Sequence, residues 1–224
     1  TVTITSSTFS LNQAARESES ADGGAVYQGG GTVTITDSTL STNSSGDDGG
    51  GLYVGSATTT ITNSTFTLNT ASTTRSAAAG GGLYGTAGIV TITSSTFSYN
   101  YAGSSGGGTR VDSSSTITIT SSTFKGNSAQ ANGGGVYVDT GTATITGGLY
   151  TLNMATSSSR SGGAIYNDTS AMTITSATIR GNEAGASGGG ILSSGTTLTL
   201  SDSIISFNTS TDGGGIYSGG TTFI

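Results

Sequence analysis

"STFSLNQAARESESADGGAVYQGGGTVTITDSTLSTN" spans residues 7–43 and ends much as it begins. Ser-Thr-Phe-x-x-Asn opens it, a glycine pair and a Thr-rich alternating run follow, and Ser-Thr-Leu-x-x-Asn closes it. The same passage recurs to the end of the chain. Asn12, Asn43, Asn69, Asn100, Asn127, Asn153, Asn182 and Asn208 mark it at a mean spacing of 28 residues. Glycine pairs begin at Gly23, Gly49, Gly80, Gly106, Gly133, Gly162, Gly188 and Gly213. From a pair to the next asparagine the distance is 20 residues in every case but one, where it is 21. From an asparagine to the next pair it varies between 5 and 11. A stretch of constant length joined by a variable one is a structural repeat with a loop at one corner.

Inside the constant stretch the apolar residues alternate with period two, the signature of a strand. In "TVTIT" (1–5), Val2 and Ile4 take one face and the threonines the other. The Phe9 position is filled later by Leu40, Phe66, Phe97, Phe124, Tyr150, Ile179 and Ile205. Three residues after each glycine pair begins stand Val26, Leu52, Leu83, Thr109, Val136, Ile165, Ile191 and Ile216. One coil buries almost nothing alone, whereas stacked coils share a continuous core. The pattern predicts an all-β parallel solenoid over residues 1–224, with about eight coils and three short strands in each. At about 4.8 Å per coil, the rod is roughly 40 Å long. Stacked asparagines are expected to satisfy one another's amides along the axis, and the glycine pairs to supply a left-handed turn. The loops at 13–22, 70–79 and 154–161 should gather on one edge and be the most mobile segments.

Composition narrows the chemistry. The chain has no Cys or His, which excludes thiolate or imidazole zinc sites, Ser-His-Asp chemistry and cysteine nucleophiles. Its six cations (Arg16, Arg75, Arg110, Lys125, Arg160 and Arg180) are scattered and the net charge is −6, so no nucleic-acid partner is expected. No apolar run reaches membrane-spanning length. The chain opens inside a strand-like pattern without a Met, and neither end offers a helix or a charged cap. It reads as part of a longer protein, or as a subunit that self-associates end to end.

"GGAV" (23–26), "GGAI" (162–165) and "FSLN", "FTLN", "FSYN" and "FKGN" (9–12, 66–69, 97–100, 124–127) resemble the paired tetrapeptides of polymorphic outer membrane protein repeats. More broadly, the chain resembles bacterial right-handed parallel β-helix repeat proteins. That resemblance implies right-handed coils, an extracellular or cell-surface location, and a structural or adhesive role. It brings no catalytic residue with it.

Side chains that stack in register are where chemistry can reside in a solenoid. Asp112, Asp139 and Asp168 each follow the start of a glycine pair by six residues on consecutive coils. Such a file suits Ca²⁺ or polysaccharide hydrolysis, although Asp also simply suits a turn. Asp22, Asp47 and Asp48 form a second weak cation candidate. Tyr27, Tyr53, Tyr84, Tyr137, Tyr166 and Tyr217 share one outward register, with Arg110 and Leu192 completing it. This is a candidate carbohydrate or partner platform, or else a corner stripe covered by loops, and Arg110 is placed to stack between Tyr84 and Tyr137. The third array is a threonine face built on Thr3/Thr5, Thr34/Thr36, Thr60/Thr62, Thr91/Thr93, Thr118/Thr120, Thr144/Thr146 and Thr173/Thr175. Counting a further outward file beside these and the last coil, Thr fills 21 of 24 sites, with no charge among them. Strand propensity alone favours Thr. A regular uncharged hydroxyl-methyl array is also what ice-binding solenoids present. The leading expectation is a non-catalytic structural or adhesive solenoid, the alternative an ice-binding protein, and the third a polysaccharide-active enzyme.

Overall fold

The computed structural model describes residues 1–15 and 21–224. The chain winds into stacked coils whose strands pair only in parallel, each with its counterpart one turn away. They form sheets of 14, 8 and 7 strands, and the described residues contain no helix. The first sheet carries the Thr-rich runs, the second the Phe9-type segments such as Thr65–Thr67, and the third the two-residue strands after each asparagine.

One detail departs from three short strands per coil. In the second to fourth coils, the segment after the glycine pair and the Thr run fuse into one 11-residue strand: Val26–Thr36, Leu52–Thr62 and Leu83–Thr93. In the next coil they separate, because Ser113 and Ser114 both take positive φ and turn the backbone between Thr109–Val111 and Ser115–Thr120.

Both glycines of each pair have a mechanical reason. The first has φ between 58° and 70° in all eight pairs, a region that side chains disfavour. The second passes close to other backbone. A Cβ on Gly50 would lie 2.4 Å from the Thr70 carbonyl carbon, and one on Gly81 2.3 Å from the Tyr101 oxygen.

The core lies along the axis. Phe66, Phe97, Phe124 and Tyr150 stack at 4.6, 4.9 and 5.3 Å between centroids, nearly coplanar in succession. Ile35, Ile61, Ile92, Ile119, Ile145 and Ile174 form a second fully buried file from the first sheet. At the turn into the third sheet, every ladder asparagine but the last donates both its backbone N–H and its Nδ2 to the Oδ1 of the next, as Asn100 does to Asn127 at 3.1 and 3.0 Å. The ladder asparagines Asn43, Asn69, Asn100, Asn127, Asn153 and Asn182 are buried without an orphaned amide.

Loops 70–79 and 154–161 do share an edge. The first folds onto the fourth coil through Ser104 N–H to Ala78 O at 2.6 Å, and the second onto the seventh through Ala186 N–H to Arg160 O at 2.8 Å. Within 13–22, residues 16–20 lie outside the described residues.

Candidate functional site

The threonines lie in strict register. Thr3, Thr34, Thr60, Thr91, Thr118, Thr144, Thr173 and Thr199 make one file. Thr5, Thr36, Thr62, Thr93, Thr120, Thr146, Thr175 and Ser201 make the second. All point away from the core, and none is buried. Side chains two apart on a strand lie about 6.6 Å from each other and successive coils about 4.8 Å apart, so the two files form a nearly rectangular lattice. Among the described residues, the one hydrogen bond these side chains make within the protein joins Ser201 to Thr175 at 3.2 Å. The remaining hydroxyls face solvent without a protein partner. A third file beside them is interrupted by Ile89, which is 48% exposed, and by Ala171.

The tyrosine file is a stack of rings. Tyr27 lies 4.9 Å from Tyr53 with planes 5° apart, and Tyr137 lies 5.0 Å from Tyr166 at 6°. Arg110 fills the gap, its guanidinium carbon 4.6 Å from the Tyr137 centroid and 5.8 Å from that of Tyr84. The neighbours along the axis therefore occupy the ring faces, and inner members such as Tyr53 and Tyr137 offer a ligand mainly their edges. Exposure falls from 59% at Tyr27 to 8% at Tyr137 and returns to 42% at Tyr217. Burial pushes the Tyr137 hydroxyl well above the ordinary phenol range, against the pull of Arg110. Burial does the same at Tyr84, helped by the charge of Asp112 and the hydrogen bond to it.

The acids serve several structural contacts. Asp112 accepts from Arg110 Nε at 2.7 Å and from the Tyr84 hydroxyl at 2.8 Å, so both of its oxygens are engaged. Burial, followed by the charge of Asp112, raises the pKa of Asp139. Asp22 accepts the Asp48 N–H at 3.1 Å, and Asp48 the Ala79 N–H at 2.8 Å, while Asp47 pairs with Arg75 at 3.5 Å. Burial lifts Asp48 to about 7, with the neighbouring Asp47 and Asp22 adding to it and the Ala79 N–H opposing. Among the described residues, no three acidic side chains converge as a metal cage would require. A cleft of about 230 Å³ opens elsewhere, between the two loops, lined by Ser76, Gly103, Gln130, Ala131, Ser157 and Arg160. It contains no carboxylate.

Two further features leave no mark in the sequence pattern. Ser38, Ser64, Ser95 and Ser122 form a ladder at the turn between the first and second sheets, each Oγ accepting the N–H of the serine one coil before it. Each also donates to the carbonyl two residues earlier, so the turn is held along the axis and across it. The second feature lies just before the ladder asparagines, where every coil has positive φ. Gly126 and Gly181 suit that conformation. Leu11, Leu68, Tyr99, Leu152 and Phe207 do not, yet they occupy it and are at least half exposed.

Stacked parallel coils with axial asparagine, serine and aromatic ladders define a parallel β-solenoid protein. The chain belongs to the right-handed beta helix region family, whose model matches residues 1–174. No curated protein and no solved structure matches it. Among the described residues, no helix is long and apolar enough to cross a membrane.

Proposed function

We propose that this chain is an extracellular, non-catalytic solenoid of the structural or adhesive kind, and that its working surface is the hydroxyl face of the first sheet. The likeness of its tetrapeptides to polymorphic outer membrane protein repeats supports display at a cell surface. One observation carries the reading: the carboxylates of Asp112, Asp22, Asp47 and Asp48 are engaged in contacts that hold the rod together, while the Thr hydroxyls of the two files, Thr175 excepted, have no protein partner. Display of this kind needs a stiff support, and axial ladders at several corners provide one. Weak Ca²⁺ binding at the aspartate files and end-to-end association belong to the same proposal. A second reading of the same face, contact with ice, is favoured by the absence of charge from its two inner files.

Two measurements test this. Antibodies to the folded chain should label intact source cells, and labelling only after lysis would contradict the surface location. Incubation with pectin, alginate and chitin, with and without Ca²⁺, should release no new reducing ends or unsaturated products. Cation-dependent cleavage would overturn the non-catalytic reading and point to Asp139 and Asp168.

A further inference from the structure

The chain presents two outward faces of similar origin. On the second sheet the outward files run Thr8, Thr39, Thr65, Thr96, Thr123, Leu149, Thr178, Ile204 and Ser10, Ser41, Thr67, Ser98, Lys125, Thr151, Arg180, Ser206. Both faces are parallel strands of one solenoid, so strand propensity and solubility act on both alike. The second sheet nonetheless admits two cations and two large aliphatic residues. The two inner files of the first sheet admit none, holding Thr at every position except Ser201 and the exposed Phe223, which continues the Thr199 file into the last turn. Propensity does not account for that difference, so a ligand is the better explanation.

We infer that the ligand is ice, and that its footprint is the two inner files only. The inference rests on the reading of the hydroxyl face as the working surface. A protein partner would be anchored by aromatic, arginine or large apolar residues, and from the first coil to Thr199 and Ser201 the two files have none, Phe223 standing alone in the last turn. A sugar would be held by open ring faces, and in the tyrosine file the inner ring faces are already covered. What remains is a surface that repeats as the protein repeats. Spacings of about 4.8 and 6.6 Å fall in the range of oxygen repeats on ice faces. The β-branched side chains are stiff at χ1, so the lattice is ordered before contact and loses little entropy on binding. Hydroxyls without protein partners can hold a file of waters in the trough between the two rows, and such bridging water costs little to retain. The third file is excluded because Ile89 and Ala171 break its run of hydroxyls.

The test uses thermal hysteresis and ice-crystal shape for the intact chain and four variants, with far-UV circular dichroism to check folding. The unmodified chain should shape crystals and show hysteresis that grows with concentration. Thr118→Tyr should lose both, and the near-isosteric Thr118→Val should weaken both. Thr116→Tyr, in the third file, and Thr123→Tyr, on the second sheet, should keep them. Rounded crystals and no hysteresis from the folded unmodified chain would overturn ice as the ligand, while surface labelling of cells would still judge the adhesive reading separately. Equal loss in Thr116→Tyr would overturn the two-file footprint.

Discussion

The first and second sheets start from the same materials and end with different surfaces. Each turns its apolar residues inward, Ile92 and Ile119 from one and Phe97 and Phe124 from the other, all fully buried. Outward, the second sheet varies freely, with Lys125 near Tyr99 and Arg180 near Phe207, each cation about 6 Å from its ring. The first sheet keeps two files of hydroxyls with no charge across eight coils. Folding demands only the inward half of each pattern. The uniform outward half of the first sheet is therefore more than folding requires.

The largest effect is expected from removing the support that the two faces share. Asn127→Ala removes the acceptor for two donors of Asn100 and the donor to the Phe97 carbonyl, all buried. Each orphaned buried group costs about 1–3 kcal/mol, so chemical denaturation should show a loss of about 3 kcal/mol or more. Both faces should lose order together. A loss below about 1 kcal/mol would mean that the ladder is not the common support.

A smaller effect separates the entry to the first sheet from the rest. Asp48 precedes a glycine pair and is held protonated up to about pH 7 by burial. An acid whose folded pKa is raised binds its proton more tightly in the native state than in the unfolded chain. Its contribution therefore falls as pH rises from about 4 to about 7, and stays lowered above that. Asp48→Asn keeps an oxygen for the Ala79 N–H and carries no charge. Its melting temperature should exceed that of the unmodified chain by a few degrees in mildly alkaline buffer, at about 2–4 °C per kcal/mol for a chain of this size, and match it in acid. An equal difference at both ends of the range would remove the protonation argument.

The smallest effect is expected from a single charge placed on either face. Thr118→Lys and Thr123→Lys place the same charge on the two faces, both beside partly exposed neighbours. Exposed substitutions of this kind usually change stability by no more than about 0.5 kcal/mol, and that is expected for both. A large loss confined to Thr118→Lys would show that folding, and not a ligand, keeps charge off the first sheet.

The repeat, the register and the inward files were legible because they depend on spacing, and spacing survives in sequence. So did the Arg110 insertion between Tyr84 and Tyr137, which needs only an eight-coil alignment. The use made of the stacked rings was not legible. Alternation shows that Tyr53 points outward, but not that its faces are covered by Tyr27 and Tyr84. The serine ladder was hidden because Ser is common in any turn, and only the axial geometry distinguishes Ser95 from its neighbours. Leu68 and Tyr99 at positive φ run against propensity, so no sequence rule would place them there. The aspartates were legible as files, but the bonds of Asp112 to Arg110 and Tyr84 were not, since a carboxylate that ties coils together reads the same in sequence as one that binds a cation.

Partition into slowly grown ice reports binding to the first-sheet threonines without relying on crystal shape. The unmodified chain and Thr123→Lys should be enriched in the ice, and Thr118→Lys should stay in the liquid. Equal exclusion of all three, with each shown to be folded, would contradict the assignment of the first-sheet threonine lattice as an ice-binding surface.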